Sequence, residues 1–442
     1  MAIRFVDAGG NDANDGLDNI GVTLSGTVIW TDATFTITEA AGHGYTFAAG
    51  DVIYVDGGTG ATVGLYEVAS STATTIVLVE TSTVDDVGNA SDFAAGDLAT
   101  GDITSSTGAL LTGDAAMNAV AAGDTAYIRS DQTYSELLTI DTVGTTTSAI
   151  RFVGYTTTLD DDGQATIAAA DTRTNCIADS LGAVGFYYSF ENFKFTDGTG
   201  DCVNISGNAV HWRNCEFSGA ATDGLNTSGN GMVCESCIFF DCVGKGCDAG
   251  TSCMFFGCTF EDCDSDAIEI TWGFVVNCVF INTGTVAIDF LGSNGFPCAV
   301  YGCTIDGVGD TTNVGISFPT SFWGPYAAIN NIIYDCATGI QGHANGNHRF
   351  IGRNNLLNAN TADYGSVHYR TVPGEVTTAP AFTDEASEDY TLGGSSPAKA
   401  VGFDAYETEG STQAADIGAL QVGGGAAGGM LVHPGTSGGA RA

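Results

Sequence analysis

The sequence predicts an all-β chain, most of it wound as a parallel β-helix solenoid, and three observations carry that prediction. Gly is abundant at 62 and Pro scarce at 7, while Thr, Val, Ile and Phe, which suit a pleated surface, are frequent. Short apolar segments recur along the middle of the chain at a period just above 20 residues. Within each segment apolar and polar residues alternate, the mark of strands with one buried face. A chain of 442 residues would ordinarily form two or three domains. One elongated repeat domain absorbs most of that length.

Residues 1–19 read as the opening strand of the solenoid. "MAIRFV" is strand-like, and "FVDAGGNDANDGLDN", residues 5–19, adds Asp7, Asn11, Asp12, Asn14, Asp15 and several glycines. A calcium loop of the EF-hand type needs a bidentate Glu at its twelfth position and flanking helices. Counting from Asp7, the twelfth residue is Asp18, and the flank is a strand. The stretch is therefore read as a turn, with no metal assigned. Residues 20–100 interrupt the pattern with "FTITEAAGHGYTFAAGDVIYVDGG" and "GLYEVASSTATTIVLVET", which read as a small inserted β-domain.

Residues 101–378 carry the repeat. "ENFKF", "RNCEF", "ESCIF", "FGCTF", "VNCVF", "YGCTI", "NNIIY" and "NNLLN" align on Phe193, Cys215, Cys237, Cys258, Cys278, Cys303, Ile332 and Leu356. Two positions on lies a second apolar ladder, Phe195, Phe217, Phe239, Phe260, Phe280, Ile305 and Tyr334, and alternation places both ladders on one side. A second strand follows each, in "DCVNIS", "DGLNTS", "KGCDAG", "DAIEIT", "VAIDFL", "NVGISF" and "ATGIQG". Its inward positions run from Val203 to Ile340. Its outward positions are Asn204, Asn226, Asp248, Glu269, Asp289, Ser317 and Gln341. A period just above 20 with about three short strands per turn suits a parallel β-helix, each coil about 4.8 Å above the last. A leucine-rich repeat is excluded because no L-x-x-L-x-L pattern or helical segment recurs.

The chain has 14 Cys, all between Cys176 and Cys336. Five of them, Cys215, Cys237, Cys258, Cys278 and Cys303, fall on one inward ladder, where a thiol acts as a small buried hydrophobe. Reduced stacked thiols are expected, although neighbouring coils lie within bridging range for a disulfide. "CESC", Cys234 to Cys237, has zinc-ligand spacing, but strand alternation is expected to put the two on opposite faces.

These features together resemble the pectate-lyase-like superfamily of right-handed parallel β-helix proteins. "FVDAGGNDANDG" is similar to the family's opening segment, and "MNAVAAGDTAYIRSDQTYSELLTI", residues 117–140, to its helix, "GDTV" strand and first coil. "APAFTDEASEDYTLGGSSPAKAVG", residues 379–402, with "ADIGALQ", residues 415–421, resembles its closing signature, except that Ala400 stands where Asp is usual. The resemblance implies a right-handed solenoid closed by residues 379–422. It implies little about activity, because the fold hosts lyases, hydrolases, epimerases, adhesins and phage tailspikes. Residues 423–442, "GGGAAGGMLVHPGTSGGARA", are Gly-rich and read as a docking tail.

Charge narrows the partners. Lys and Arg total 12 against 52 Asp and Glu, a net charge of −40, so phosphate backbones and anionic lipid surfaces are repelled. Neither nucleic acid nor a membrane is an expected partner; no apolar run approaches the roughly 20 residues of a transmembrane helix. "MAIRFVDAGG" lacks the apolar core of a signal peptide, so folding in a cytoplasm is expected unless a leader preceded Met1.

For chemistry, Asp248, Glu269 and Asp289 are the candidate catalytic column. Carboxylates roughly 5 Å apart suit a retaining glycosidase and about twice that an inverting one. Trp272, Trp323 and Tyr326 are candidate glycan-stacking rings. The simpler reading is a solvated acidic face in an acid-rich chain. Lyase chemistry, by the resemblance, pairs a calcium-binding acidic cluster with an Arg or Lys base, and Lys194, Arg213 and Lys245 are not expected beside the column. His211, His343 and His348 are acid or base candidates by residue type alone. No cofactor and no metal is expected. The function expected is a structural or binding component of a phage particle, such as a surface decoration, fibre or tailspike-like protein. It would be assembled in the host cytoplasm with other virion proteins and with itself, as a trimer by analogy with tailspikes, and would bind host surface glycan. The alternative is a secreted polysaccharide lyase or glycoside hydrolase.

Overall fold

The structure, a computed structural model, describes residues 3–6, 28–31, 34–39, 47–55, 64–81, 112–130, 132–156, 159, 161–170, 172–179, 185–292, 296–308, 313–319, 325–342, 349–366, 374–402 and 416–418. The acidic stretch after Val6 and the tail at 423–442 lie outside the described residues. The chain divides into two compact units. The first is Met1–Ala169 with Cys176–Leu181 and Gly185–Lys194; the second is Phe195–Ala442 with Ala170–Asn175 and Gly182–Val184.

The first unit holds the expected small β-rich insert, a five-stranded antiparallel sheet in the order Val28–Thr31, Thr36–Glu39, Thr75–Leu78, Gly64–Ser71, Val52–Val55. Ile37, Val52, Tyr66, Val68, Ile76 and Leu78 bury its apolar face. The same unit stacks Ile3–Val6 and Ile150–Tyr155 in parallel on either side of Thr125–Arg129, with Gly185–Glu191 next. One helix, Gly113–Ala119, accompanies these strands. Thr112 caps it by accepting from the Ala115 amide at 3.1 Å, and the Glu136 carboxylate accepts from the Gly113 and Asp114 amides at 2.7 and 3.0 Å. Those amides have no partner within a helix. The Glu in "TYSEL" is thus a helix cap.

The second unit is a parallel β-solenoid. Its coils place Leu225–Asn230, Cys247–Phe256, Ile268–Val276, Val286–Phe290, Val314–Ser317 and Thr338–Gln341 directly above one another. A shorter sheet stacks Glu216–Ser218, Ile238–Cys242, Thr259–Cys263, Val279–Ile281, Thr304–Asp306, Ile332–Tyr334 and Leu356–Asn358. The inward ladders form as expected from Cys215 to Cys303 and from Phe217 to Ile305. Beyond them three positions are corrected: Thr304 pairs with Ile332 and Ile305 with Ile333, so Ile332, Tyr334 and Leu356 fall on the outer side of the sheet, one residue out of the expected register. Phe217, Phe239, Phe260 and Phe280 stack face to face with centroids 4.9, 4.4 and 5.0 Å apart.

The corners follow a rule written in the sequence. The residue before each ladder position, Asn214, Ser236, Gly257, Asn277, Gly302, Asn330 and Asn354, has a left-handed backbone with φ between 49° and 64°. Asn and Gly tolerate that region best. A second left-handed corner lies five residues on, at Gly219, Asp241, Asp262, Asn282, Asp335 and Ala359. This bracket corrects one expectation: the Ser236 corner breaks strand alternation, so Cys234 and Cys237 both point inward and both are 0 % exposed.

All 14 cysteines are buried and unbridged. The ladder thiols donate to the carbonyl two residues back, as Cys258 does to Phe256 at 3.5 Å and Cys278 to Val276 at 3.4 Å. Burial pushes the Cys234, Cys258 and Cys278 thiols well above their ordinary range, which keeps them protonated. Above Cys303 the ladder continues as Asn331 and Asn355, whose side chains bond to each other and to the Val300 and Ala328 carbonyls.

The closing segment covers the outer side of the short sheet. Phe382–Asp384 pairs with Asp389–Leu392, and Tyr390, Leu392, Ala398 and Ile417 pack on Val279, Ile281, Ile332, Tyr334 and Leu356. Tyr334 and Tyr390 both donate to Asp306 Oδ2, at 2.7 and 2.6 Å. Ala400, where the resembled signature has Asp, donates its amide to Asp416 Oδ1 at 2.8 Å.

Candidate functional site

The outward column of the second strand is in the register its spacing predicts. Asn226 lies beside Asp248, Asp248 beside Glu269, Glu269 beside Asp289, Asp289 beside Ser317, and Ser317 beside Gln341. Their inward neighbours, Leu225, Cys247, Ile268, Ile288, Ile316 and Ile340, are all 0 % exposed. A rigid core therefore fixes the spacing of the polar groups.

Three residues before this column runs another that the strand pattern did not reveal: Asp201, Asp223, Lys245 and Asp266. Asp201 Oδ1 accepts from the Asp223 amide at 3.1 Å, and Asp223 Oδ1 from the Lys245 amide at 2.8 Å. Asn204 donates to Asp201 and Asn226 to Asp223, at 2.7 and 3.4 Å. One coil on, the polarity reverses. Lys245 Nζ donates to Asp248 Oδ2 at 2.9 Å and to Glu269 Oε1 at 2.5 Å. The expectation that no cation sits beside the acidic column is thus corrected, because the turn ahead of the strand points Lys245 into it.

The electrostatics follow from these neighbours. Burial disfavours the Lys245 ammonium, but its hydrogen bonds to Asp248 and Glu269 outweigh that and hold its pKa above the ordinary lysine value. Burial raises Asp289, and the like charges of Asp266 and Glu269 raise it further. Burial likewise raises Asp223. Ligand oxygens of Asp266, Glu269 and Asp289 lie within 4.8 Å of one another, a grouping of hard donors able to hold a cation such as calcium. The crowding that raises Asp289 is what a bound cation would relieve.

Further along the strand that carries Glu269 is an aromatic pair. Trp272, three residues after Glu269, stacks on Phe296 with centroids 4.6 Å apart and planes 13° from parallel. Phe296 is 50 % exposed, and Leu291, 49 % exposed, bonds through its amide to the Ile270 carbonyl of the coil before it. Of the other expected stacking rings, Tyr326 is buried, its ring stacked on Phe318 at 5.3 Å, so it offers no face to a sugar. Trp323, His343 and His348 lie outside the described residues. His211 is on a different strand, with Nε2 3.4 Å from Glu235 Oε2.

Fold and site define a β-solenoid with a polar outward column and an aromatic pair. No known protein family model matches the chain, and no curated protein matches its sequence. Solved structures do resemble it. Pectate lyase Pel9A is 15 % identical, with a TM-score of 0.48 over 71 % of this chain and 91 % of that one. An alginate lyase from Paenibacillus sp. is 13 % identical, with a TM-score of 0.38 over 60 % and 94 %. The tailspike protein gp49 from Pseudomonas phage LKA1 is 12 % identical, with a TM-score of 0.19 over 84 % and 64 %. These are similarities of chain folding and say nothing about ligand or reaction.

Proposed function

We propose that this β-solenoid binds a polysaccharide along the column from Asp223 to Asp289, as the host-glycan-binding component of a phage particle. The observation that carries the reading is the in-register column of hydrogen-bonding groups, with the Trp272–Phe296 pair on the strand of Glu269. Sugar hydroxyls donate well to carboxylates, and a pyranose ring stacks on an aromatic face. A coil repeat of about 4.8 Å is close to the length of one sugar unit, so a chain running along the column meets a similar set of groups at each step. Because Lys245 is committed to Asp248 and Glu269, a neutral polysaccharide is the favoured ligand. A uronic-acid polymer would need a cation held by Asp266, Glu269 and Asp289 to bridge the like charges. Fourteen buried, unbridged thiols fit assembly in a reducing cytoplasm, as for a virion protein.

A second reading, a polysaccharide lyase or glycoside hydrolase, is favoured by the grouping of Lys245 with carboxylates in one column. In it, Lys245 as found is held charged by its two carboxylates and would serve to stabilise developing negative charge rather than to exchange a proton. A bound cation drawing Glu269 away would make it a better base.

The test is calorimetric titration with a panel of neutral and uronic-acid polysaccharides, with and without calcium, followed by assay of the same mixtures for new reducing ends and unsaturated products. Binding of a neutral polymer without cleavage, lost in Trp272→Ala, supports the first reading. Cleavage abolished by Glu269→Gln supports the second, and no binding to any polymer rejects both.

A further inference from the structure

The third strand of each coil in the second unit presents an outward face of a different kind. One column runs Val233, Met254, Phe274, Ala299, Ala327 and Ile351. Two residues along each strand a parallel column runs Glu235, Phe256, Val276, Tyr301, Ile329 and Arg353. The residues between them, such as Phe255, Val275 and Val300, point into the core and are 0 % exposed. None of the column residues is buried, and Phe256 and Ile351 are 36 % and 48 % exposed. On a chain of net charge −40, the stretch between Glu235 and Arg353 carries no acid in either column.

We propose that two copies of the chain meet on this face, antiparallel, about a two-fold axis running along the strands. Such an axis sets each column against itself with the order of coils reversed. In the register that puts Glu235 opposite Arg353 of the partner subunit, Phe256 meets Ile329 and Val276 meets Tyr301. In the other column Phe274 meets Ala299 and Met254 meets Ala327, bulky against small, while Val233 meets Ile351. The face is self-complementary in size and in charge. A parallel pairing would instead set Met254 on Phe256 and Phe274 on Val276, bulky on bulky, with Glu235 and Arg353 each against an aliphatic side chain. Like-charge repulsion opposes self-association elsewhere, but here Glu235, which in its own copy stands above Arg213 and 3.4 Å from His211 Nε2, faces a further guanidinium across the seam.

The face is roughly 350–400 Å² per copy, about half the ~800 Å² of a standard interface, so the dimer is expected to be of micromolar affinity. The experiment is sedimentation equilibrium of the full chain across micromolar to submillimolar concentrations. Wild type should dimerise reversibly, Glu235→Arg and Arg353→Glu should each weaken the dimer tenfold or more, and the double variant should restore it. Glu235 and Arg353 stand five coils apart, about 24 Å within one copy, so rescue can only come across the interface. Glu235 has His211 and Arg213 as neighbours within its own copy, so the fold of each variant is checked by circular dichroism and thermal melting. Glu235→Gln, which adds no charge beside Arg213, should weaken the dimer in the same direction. A monomer at every concentration, a trimer, single variants without effect, or a double variant that fails to recover would each overturn the proposal.

Discussion

At the scale of single residues, Lys245 organises the acidic column. It bonds two carboxylates of neighbouring coils, and its amide bonds Asp223. Lys245→Met should therefore cost about 1–2 kcal/mol, between the values for exposed and buried pairs, read as a lower urea midpoint. Adding Glu269→Gln should recover part of it, since one unpaired charge is gone; an unchanged midpoint in the single variant would show the pairs contribute nothing. Asp289 behaves in the opposite sense. Its folded pKa is raised by burial and then by Asp266 and Glu269, so the folded state holds its proton more tightly than the unfolded. Ionising it costs stability as pH rises past the unfolded value of about 3.9, and the cost is complete above the folded value. Asp289→Asn should raise Tm at pH 7 and leave it nearly unchanged near pH 3. A lower Tm at pH 7 would mean that the carboxylate is engaged favourably, as by a cation.

At the scale of elements, the ladders and corners explain what could be read in advance. The second strand of each coil alternates cleanly, so the column Asp248, Glu269 and Asp289 was legible from spacing alone. The third strand was not, because residues such as Met254, Phe255 and Phe256 are apolar on both faces and leave no alternation. Lys245 and Asp266 escaped because they precede their strands, where alternation no longer assigns a side. Phe296 is 24 residues from Trp272 in the chain, and nothing local marks it as a partner of that ring. Cys234 misled because the left-handed Ser236 resets the face between it and Cys237. The corner rule makes its own prediction. At Gly257, φ is 60° and an added Cβ would meet only Ser236 Oγ, at 3.9 Å. Gly257→Asn should thus be nearly neutral and Gly257→Val should cost about 1–2 kcal/mol or more by chemical denaturation; equal losses in both would point to a steric cause instead. The buried Asn pair is more demanding. Asn331→Leu strands the Cys303 amide and the Val300 carbonyl, each bonded to the Asn331 side chain, and should cost about 2–5 kcal/mol. A loss under 1 kcal/mol would show that the ladder contributes little net stability.

At the scale of the whole molecule, the net charge of −40 sets how the chain responds to salt. Self-repulsion among acids weakens the compact state, and raising ionic strength from about 0.1 M to 1 M shortens the Debye length from about 10 Å to 3 Å. Sodium chloride should therefore raise Tm progressively. Divalent ions separate this general screening from a specific site. Among the described residues Asp266, Glu269 and Asp289 form a local cluster of oxygen donors. At matched ionic strength, calcium bound to the folded state alone should add stability that grows with the logarithm of its concentration. That increment should vanish in Asp266→Asn/Asp289→Asn while the response to sodium chloride remains. If calcium and sodium chloride raise Tm equally at matched ionic strength, the cluster holds no ion. The proposed ligand then narrows to a neutral polysaccharide, still to be tested by titration, because the column would have no bridge to a uronic acid polymer.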